Sequence, residues 1–152
     1  MDSPLKYASV VCVIAVLGEA LLMGRKGGQF MRSLNQPSHA PPIWAWSLIG
    51  VAYYLICFFG LYRLLGRGVE GRLGLISLIV LMAANTVWNY IYFRLRNLKL
   101  AFWYSVGYSA FAGTVLLVLI EVDHRAALAL ATYVAYLPFA LLLSYRTWKL
   151  NT

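Results

Sequence analysis

Apolar residues run through this chain in long stretches, and polar residues gather in the short gaps between them. Five stretches, 5–23, 43–65, 73–93, 100–120 and 126–147, have the length a helix needs to cross a bilayer core, about 20 residues. Barrel strands would be shorter and would alternate apolar with polar positions. Helices also satisfy their own backbone groups, which lipid cannot do for them. The pattern predicts an all-α protein, an integral membrane bundle of five transmembrane helices in a single domain over 1–152. Successive helices joined by short connectors should be antiparallel neighbours.

Composition agrees with that reading. Hydrophobic residues make up 62% of the 152 residues and charged ones 12%, against about 25% charged in soluble domains. A soluble fold of this size could not hide so much apolar surface. The first stretch could be read as a cleaved leader. It is long for one, however, and Glu19-Ala20 is followed by more apolar chain without a small-residue cleavage site, so it is expected to stay as a span.

The net charge of +8 would suit a nucleic-acid binder, but its placement does not. Arg25, Lys26, Arg32, Arg63, Arg67, Arg72, Arg94, Arg96, Lys99, Arg146 and Lys149 lie at or near span ends, where they meet lipid headgroups. No basic run is long enough for a phosphate groove, so nucleic acid is not an expected partner; the lipid bilayer is. One side carries Arg25, Lys26, Arg32, Arg94, Arg96, Lys99, Arg146 and Lys149. The other carries Lys6, Arg63, Arg67, Arg72 and Arg125, diluted by Asp2, Glu70 and Asp123. The positive-inside rule then expects the N-terminus outside and the C-terminus in the cytoplasm.

The first connector, Gly24 to His39, is long enough to suggest a lid or binding role rather than a plain tether. Gly27-Gly28 would give it flexibility, Phe30 and Met31 would anchor it, and Pro41-Pro42 would open the second span. Three spans then carry unusual stripes. In the second, Trp46, Gly50, Tyr53, Tyr54 and Cys57 follow helical spacing, and Gly50 leaves room for close approach in mid-span. In the third, Asn85, Trp88, Asn89 and Tyr92 recur at i, i+3, i+4 and i+7. An unpaired amide facing lipid is costly, so both asparagines should point inward. In the fifth, Thr132, Tyr133, Tyr136, Phe139 and Ala140 form another mixed face, and Pro138 should bend the helix or free a carbonyl. These amides are either glue between helices or, with flat aromatic faces converging on them, the lining of a pocket for a large, planar, mostly apolar ligand. Trp44, Trp103, Tyr104 and Trp148 sit near span ends and read as interfacial anchors.

The run Ser33-Leu34-Asn35-Gln36-Pro37-Ser38-His39-Ala40-Pro41-Pro42-Ile43-Trp44 resembles the loop-into-helix signature L-N-x-P-S-W-A-P-P-x-W of the TspO/MBR family, with His39 in place of a tryptophan. These are the tryptophan-rich sensory proteins, the mitochondrial translocator protein among them. The run from Asn85 to Phe93 is similar to the family's N-x-x-W-S-x-x-F-F, matching at Asn85, Trp88 and Phe93. The end, from Tyr145 to Asn151, resembles its closing W-R-L-N. The resemblance implies a five-helix bundle, commonly a homodimer, with a pocket capped by the first connector that takes tetrapyrroles, sterols or other lipophilic small molecules. By position, the ligand-binding residues would be Tyr54, Asn85, Trp88, Asn89, Tyr136, Phe139 and Ala140, with Pro41, Pro42 and Trp44 shaping the rim. A porphyrin or haem-type molecule is among the ligands the resemblance implies, and no cofactor is required. The family's further second-helix tryptophan stands here as Gly50, its fifth-helix tryptophan as Tyr136, and the proline next to Tyr133 as Thr132. Porphyrin breakdown, associated in some bacterial members with those two tryptophans, is therefore placed in doubt.

No catalytic or metal centre emerges. His39 and His124 lack ligand-spaced companions, and Cys12 and Cys57 read as small packing residues within spans. Glu19, an acid late in the first span, is either a proton or substrate contact or an interfacial group near Arg25. Asp123-His124 falls in a tight connector without a nucleophile. A sterol pattern can be drawn through Leu143, Tyr145 and Lys149. The leading expectation is a membrane receptor or carrier; an enzyme acting on a lipophilic ligand and a structural subunit of a larger complex are the alternatives.

Overall fold

The structure, a computed structural model, describes residues 3–24 and 26–152; the charges at Asp2 and Arg25 lie outside them. Five long helices are apolar enough to span a membrane: α1 (Pro4–Met23), α3 (Ile43–Leu65), α4 (Arg72–Asn89), α5 (Leu98–Val122) and α6 (His124–Leu150). A short helix, α2 (Gly27–Ser33), lies between the first two, and α4 continues as a π turn over Tyr90–Arg94. The described residues contain no strand. The chain is a multi-pass integral membrane protein, and all five expected spans are present as helices.

Two of these elements depart from the sequence reading. Gly27-Gly28, expected to be flexible, opens α2. A side chain at Gly27 would run into Met23, so glycine there serves a close approach between α1 and α2. The third span is not regular to its end either. Leu95 N–H reaches back five residues to the Tyr90 carbonyl, 3.1 Å away, and this wider turn buries Ile91, Tyr92 and Phe93 in succession. An α-helix would have turned one of three consecutive residues outward. Phe30, Met31 and Leu34 from α2 and its exit pack on this turn, so the first connector is seated on the bundle rather than loose above it.

Helix ends follow from local chemistry. Pro4 starts α1, where its missing N–H is no loss. Asn97 caps α5 by accepting from Leu100 N–H at 2.9 Å. Asp123 caps α6 by accepting from the N–H groups of Arg125 and Ala126, at 3.1 and 2.9 Å.

Helix α3 packs against α1, α4 and α6, while α5 lies against α4 and most extensively against α6. Helix α1 is peripheral, with only Ala8 and Cys12 buried among its residues. Toward the end of the bundle remote from α2, the interior is a dry leucine core of Leu61, Leu64, Leu78, Leu81, Leu119 and Leu130, all fully buried. Gly60 and Gly74 let it close: a Cβ on Gly60 would press on Leu78, and one on Gly74 on Leu64 and Leu119. In lipid such contacts act through packing and not through water release, because lipid tails are as apolar as leucine. Toward α2, the interior changes to phenols and amides.

Candidate functional site

Glu19 is the centre of that polar interior. Asn85 of α4 donates from Nδ2 to Glu19 Oε1 at 2.5 Å. Asn89, one turn on, is buried and donates to the Asn85 carbonyl at 3.1 Å, fixing the backbone that presents Asn85. Tyr54 of α3 faces the same carboxylate, yet its buried hydroxyl makes no hydrogen bond of ordinary length. Glu19 is half-buried and bonded to Asn85 of α4; Arg25, the neighbour that the interfacial alternative names, lies outside the described residues. Its place as an acid within a span marked it in the sequence, but its partner, 66 residues away, was not marked.

Behind Tyr54 runs a series of phenol rings. Tyr53 stands edge-on to Tyr54, with centroids 5.2 Å apart, and lies 4.7 Å from Tyr133 of α6. The Tyr133 and Tyr108 hydroxyls bond to each other at 3.0 Å, joining α6 to α5. Tyr136 follows Tyr133 at 6.4 Å, and Phe139 follows Tyr136 at 6.1 Å. Tyr53 is almost wholly buried, and its hydroxyl is unpartnered. Five helices thus contribute to one array: a carboxylate, two amides and successive aromatic faces.

The structure divides the third-span stripe. Asn85 and Asn89 turn toward Glu19, whereas Trp88 and Tyr92 turn toward α5 and α2. Trp88 donates from Nε1 to Ser105 Oγ at 2.8 Å and stacks on Tyr92 at 4.9 Å. Phe30 of α2 meets Tyr92 edge-on at 5.7 Å. Trp88 therefore links the floor of the site to the first connector. Of the fifth-span residues, Tyr136 is half-buried beside Tyr133, Ala140 is half-buried, and Phe139 is largely exposed. Thr132 is exposed and bonds back to the Ala129 carbonyl of its own helix. At the rim, Pro41 is half-buried, Pro42 is exposed, and Trp44 is 66% exposed. Among the described residues no atom lies within 4 Å of the position a Gly50 side chain would take, so the close approach expected there is not seen.

Other expectations are corrected. Tyr104, read as an interfacial anchor, donates to the Ala84 carbonyl at 2.9 Å and ties α5 to α4. Arg63 and Arg67, assigned to headgroups, both bond to the buried Asp123 carboxylate, at 2.8 and 3.0 Å. In the sterol pattern, Tyr145 and Lys149 share an exposed face, with Lys149 over the Tyr145 ring at 5.9 Å, while Leu143 is buried away from it. Cys12 and Cys57 are buried and free. No group of three or more metal-ligating side chains occurs among the described residues.

Two cavities open at the ends of the bundle. One of about 510 Å³ lies between the start of α1 and the end of α3, lined by Ser3, Tyr62, Arg63 and Arg67. One of about 390 Å³ lies under the first connector, between Met23, Lys26, Phe93 and Arg96. Neither is lined by the Glu19 array.

With this geometry in place, comparison with known proteins is specific. The model of the TspO/MBR family matches residues 8–149. Protein CrtK of Rhodobacter capsulatus is 30% identical over 133 residues, covering 82% of this chain and 79% of that protein.

Proposed function

This chain belongs to the TspO/MBR family, and from that premise we propose that it is a non-enzymatic membrane receptor or carrier. It binds tetrapyrrole-like or other lipophilic molecules in the interior bounded by α1, α3, α4 and α6. The observation that carries this reading is the Asn85–Glu19 hydrogen bond, set among phenol rings from three helices. Structural glue needs an amide satisfied by backbone, as Asn89 is. It does not need an acid in the membrane, or a buried phenol without a partner such as Tyr53, which costs stability that a ligand's polar groups would offset. Flat rings on several walls suit a flat, apolar guest. Helix α1, the least buried of the five, is the wall that gives way to admit one.

Titration of the purified protein with a porphyrin, followed by quenching of tryptophan fluorescence, tests the reading. Asn85→Leu removes the donor to Glu19 and Tyr136→Ala removes a ring face. Each is expected to weaken porphyrin binding by roughly 1–3 kcal/mol. Equal binding by the wild type and both variants would show that the ligand sits elsewhere.

A further inference from the structure

Glu19 has no basic side chain paired with it among the described residues. The ion pairs found there are those of Asp123 with Arg63 and Arg67, at the opposite end of the bundle. Arg94, whose guanidinium lies beside Gly24, is turned to the Leu21 carbonyl, which accepts from it at 3.1 Å. What meets the Glu19 carboxylate is the neutral amides of Asn85 and Asn89 and the Tyr54 phenol, with the rings of Tyr53 and Tyr133 behind.

An acid embedded in a helix bundle is costly to ionise without a counter-charge. Electron-rich rings beside a carboxylate are the surroundings that hold organic cations, the rings through their faces and the acid through its charge. A ligand bearing a carboxylate would meet like charge at the same point.

We propose that this site selects lipophilic ligands that carry a positively charged nitrogen, with Glu19 as counter-ion and the tyrosines as the aromatic wall. The inference rests on the ligand-binding reading above and names the ligand class of that same site. Asn85 acts as the positioning residue, holding Glu19 Oε1 so that the carboxylate stays turned inward.

Three porphyrins that share one ring and differ in a single side arm test it: an alkylammonium, a neutral ester and a carboxylate. Their affinities are measured on the intact protein in the same detergent by tryptophan quenching. The wild type is expected to bind the ammonium probe at least about tenfold tighter than the ester, and the carboxylate probe more weakly than the ester. Glu19→Gln, which keeps shape and removes charge, is expected to bring the ammonium-to-ester ratio close to one. Equal affinity of those two probes for the wild type overturns the inference, as does a preference that survives Glu19→Gln. In either case a bound ester leaves the ligand-binding reading standing, whereas failure of all three probes to bind overturns both. The wild-type comparison needs no variant, so it decides the matter even where Glu19→Gln does not fold.

Discussion

Asn35 and Asn151 hold each other in both directions across 116 residues of sequence. Asn35 N–H donates to Asn151 Oδ1 at 2.9 Å, and Asn151 Nδ2 donates to the Asn35 carbonyl at 3.0 Å. The same Nδ2 also reaches the Thr147 carbonyl at 2.7 Å, which anchors it to α6. The exit of the first connector is thus fastened to the end of the last helix, while Phe30 and Met31 fasten its middle to the π turn.

Asn151→Ala removes both inter-segment bonds to its side chain and leaves the packing under α2 untouched. Exposed hydrogen bonds of this kind are worth about 0.5–1.5 kcal/mol each. The expected result is a small loss of stability together with faster hydrogen exchange at the Asn35 amide and along 27–36. Unchanged exchange there would mean that the apolar contacts and the remaining bond from Asn35 Nδ2 to the Leu150 carbonyl, at 3.4 Å, suffice to hold the connector.

Asp123 is the main electrostatic fastening of the far end. Burial works to raise its carboxyl pKa, but hydrogen bonds from Arg63, the Ala126 N–H and Arg67 outweigh that and hold it well below the usual carboxylate range. A carboxyl lowered on folding contributes fully above its unfolded value, about 4, and loses its contribution as pH falls through the folded value. Stability from this group should therefore be level from about pH 5 to 8 and decline only in strong acid. Asp123→Asn keeps the cap on α6 and removes the charge. It should cost about 2–3 kcal/mol, below the 3–5 of a fully buried pair because both arginines keep contact with water. An acid-unfolding midpoint unmoved by this substitution would contradict the assignment.

Small residues on α5, Ala101, Ser105, Ser109 and Gly113, make a ridge that could serve within the protomer or between protomers. Its first half is occupied: Ala101 is fully buried, and Ser105 accepts from Trp88 while donating to the Ala101 carbonyl. Its second half is open, with nothing near the position of a Gly113 side chain. Ser105→Leu should therefore destabilise the protomer. If this half of the ridge is a seam between protomers, Gly113→Leu should fold and run as a monomer while the wild type runs as a dimer. A dimeric Gly113→Leu would move the seam off this ridge.

Orientation can be read by labelling single cysteines in the intact membrane, with Cys12 and Cys57 shielded by burial. Gly28 and Lys99 are exposed at the end carrying α2, and Glu70 is exposed at the other. Gly28 is preferable to Gly27, where a side chain would strike Met23. From the excess of arginine and lysine at the α2 end, Gly28→Cys and Lys99→Cys should label from the cytoplasmic side and Glu70→Cys from the opposite one. Labelling of all three from one side would contradict the five-span topology.

How much of this was legible along the chain differs by level. The five spans were, because lipid requires each helix to be apolar over its whole crossing, and that requirement is written locally in consecutive residues. The start of the second long helix was written locally too, in Pro41-Pro42 just before Ile43. The amides Asn85 and Asn89 announced that they face inward, since lipid offers them no partner.

Which helix they would face was not legible. A helix that is apolar all round carries only a weak periodic signal of its buried side, so spacing alone could not separate Asn85 from Trp88 on one stripe. Glu19 gained its partner across two helices, Asp123 gained two arginines from the end of α3, and Asn35 met Asn151 at opposite ends of the sequence. The π turn belongs to the same class: Ile91, Tyr92 and Phe93 read as an ordinary helix end until α2 and α5 close over them. Sequence by itself determined that this chain crosses the membrane five times, because solvation acts on each residue in place. The tertiary structure decided which side chains meet in the interior, because a pairwise contact depends on how two helices are turned toward each other, and neither helix encodes that alone.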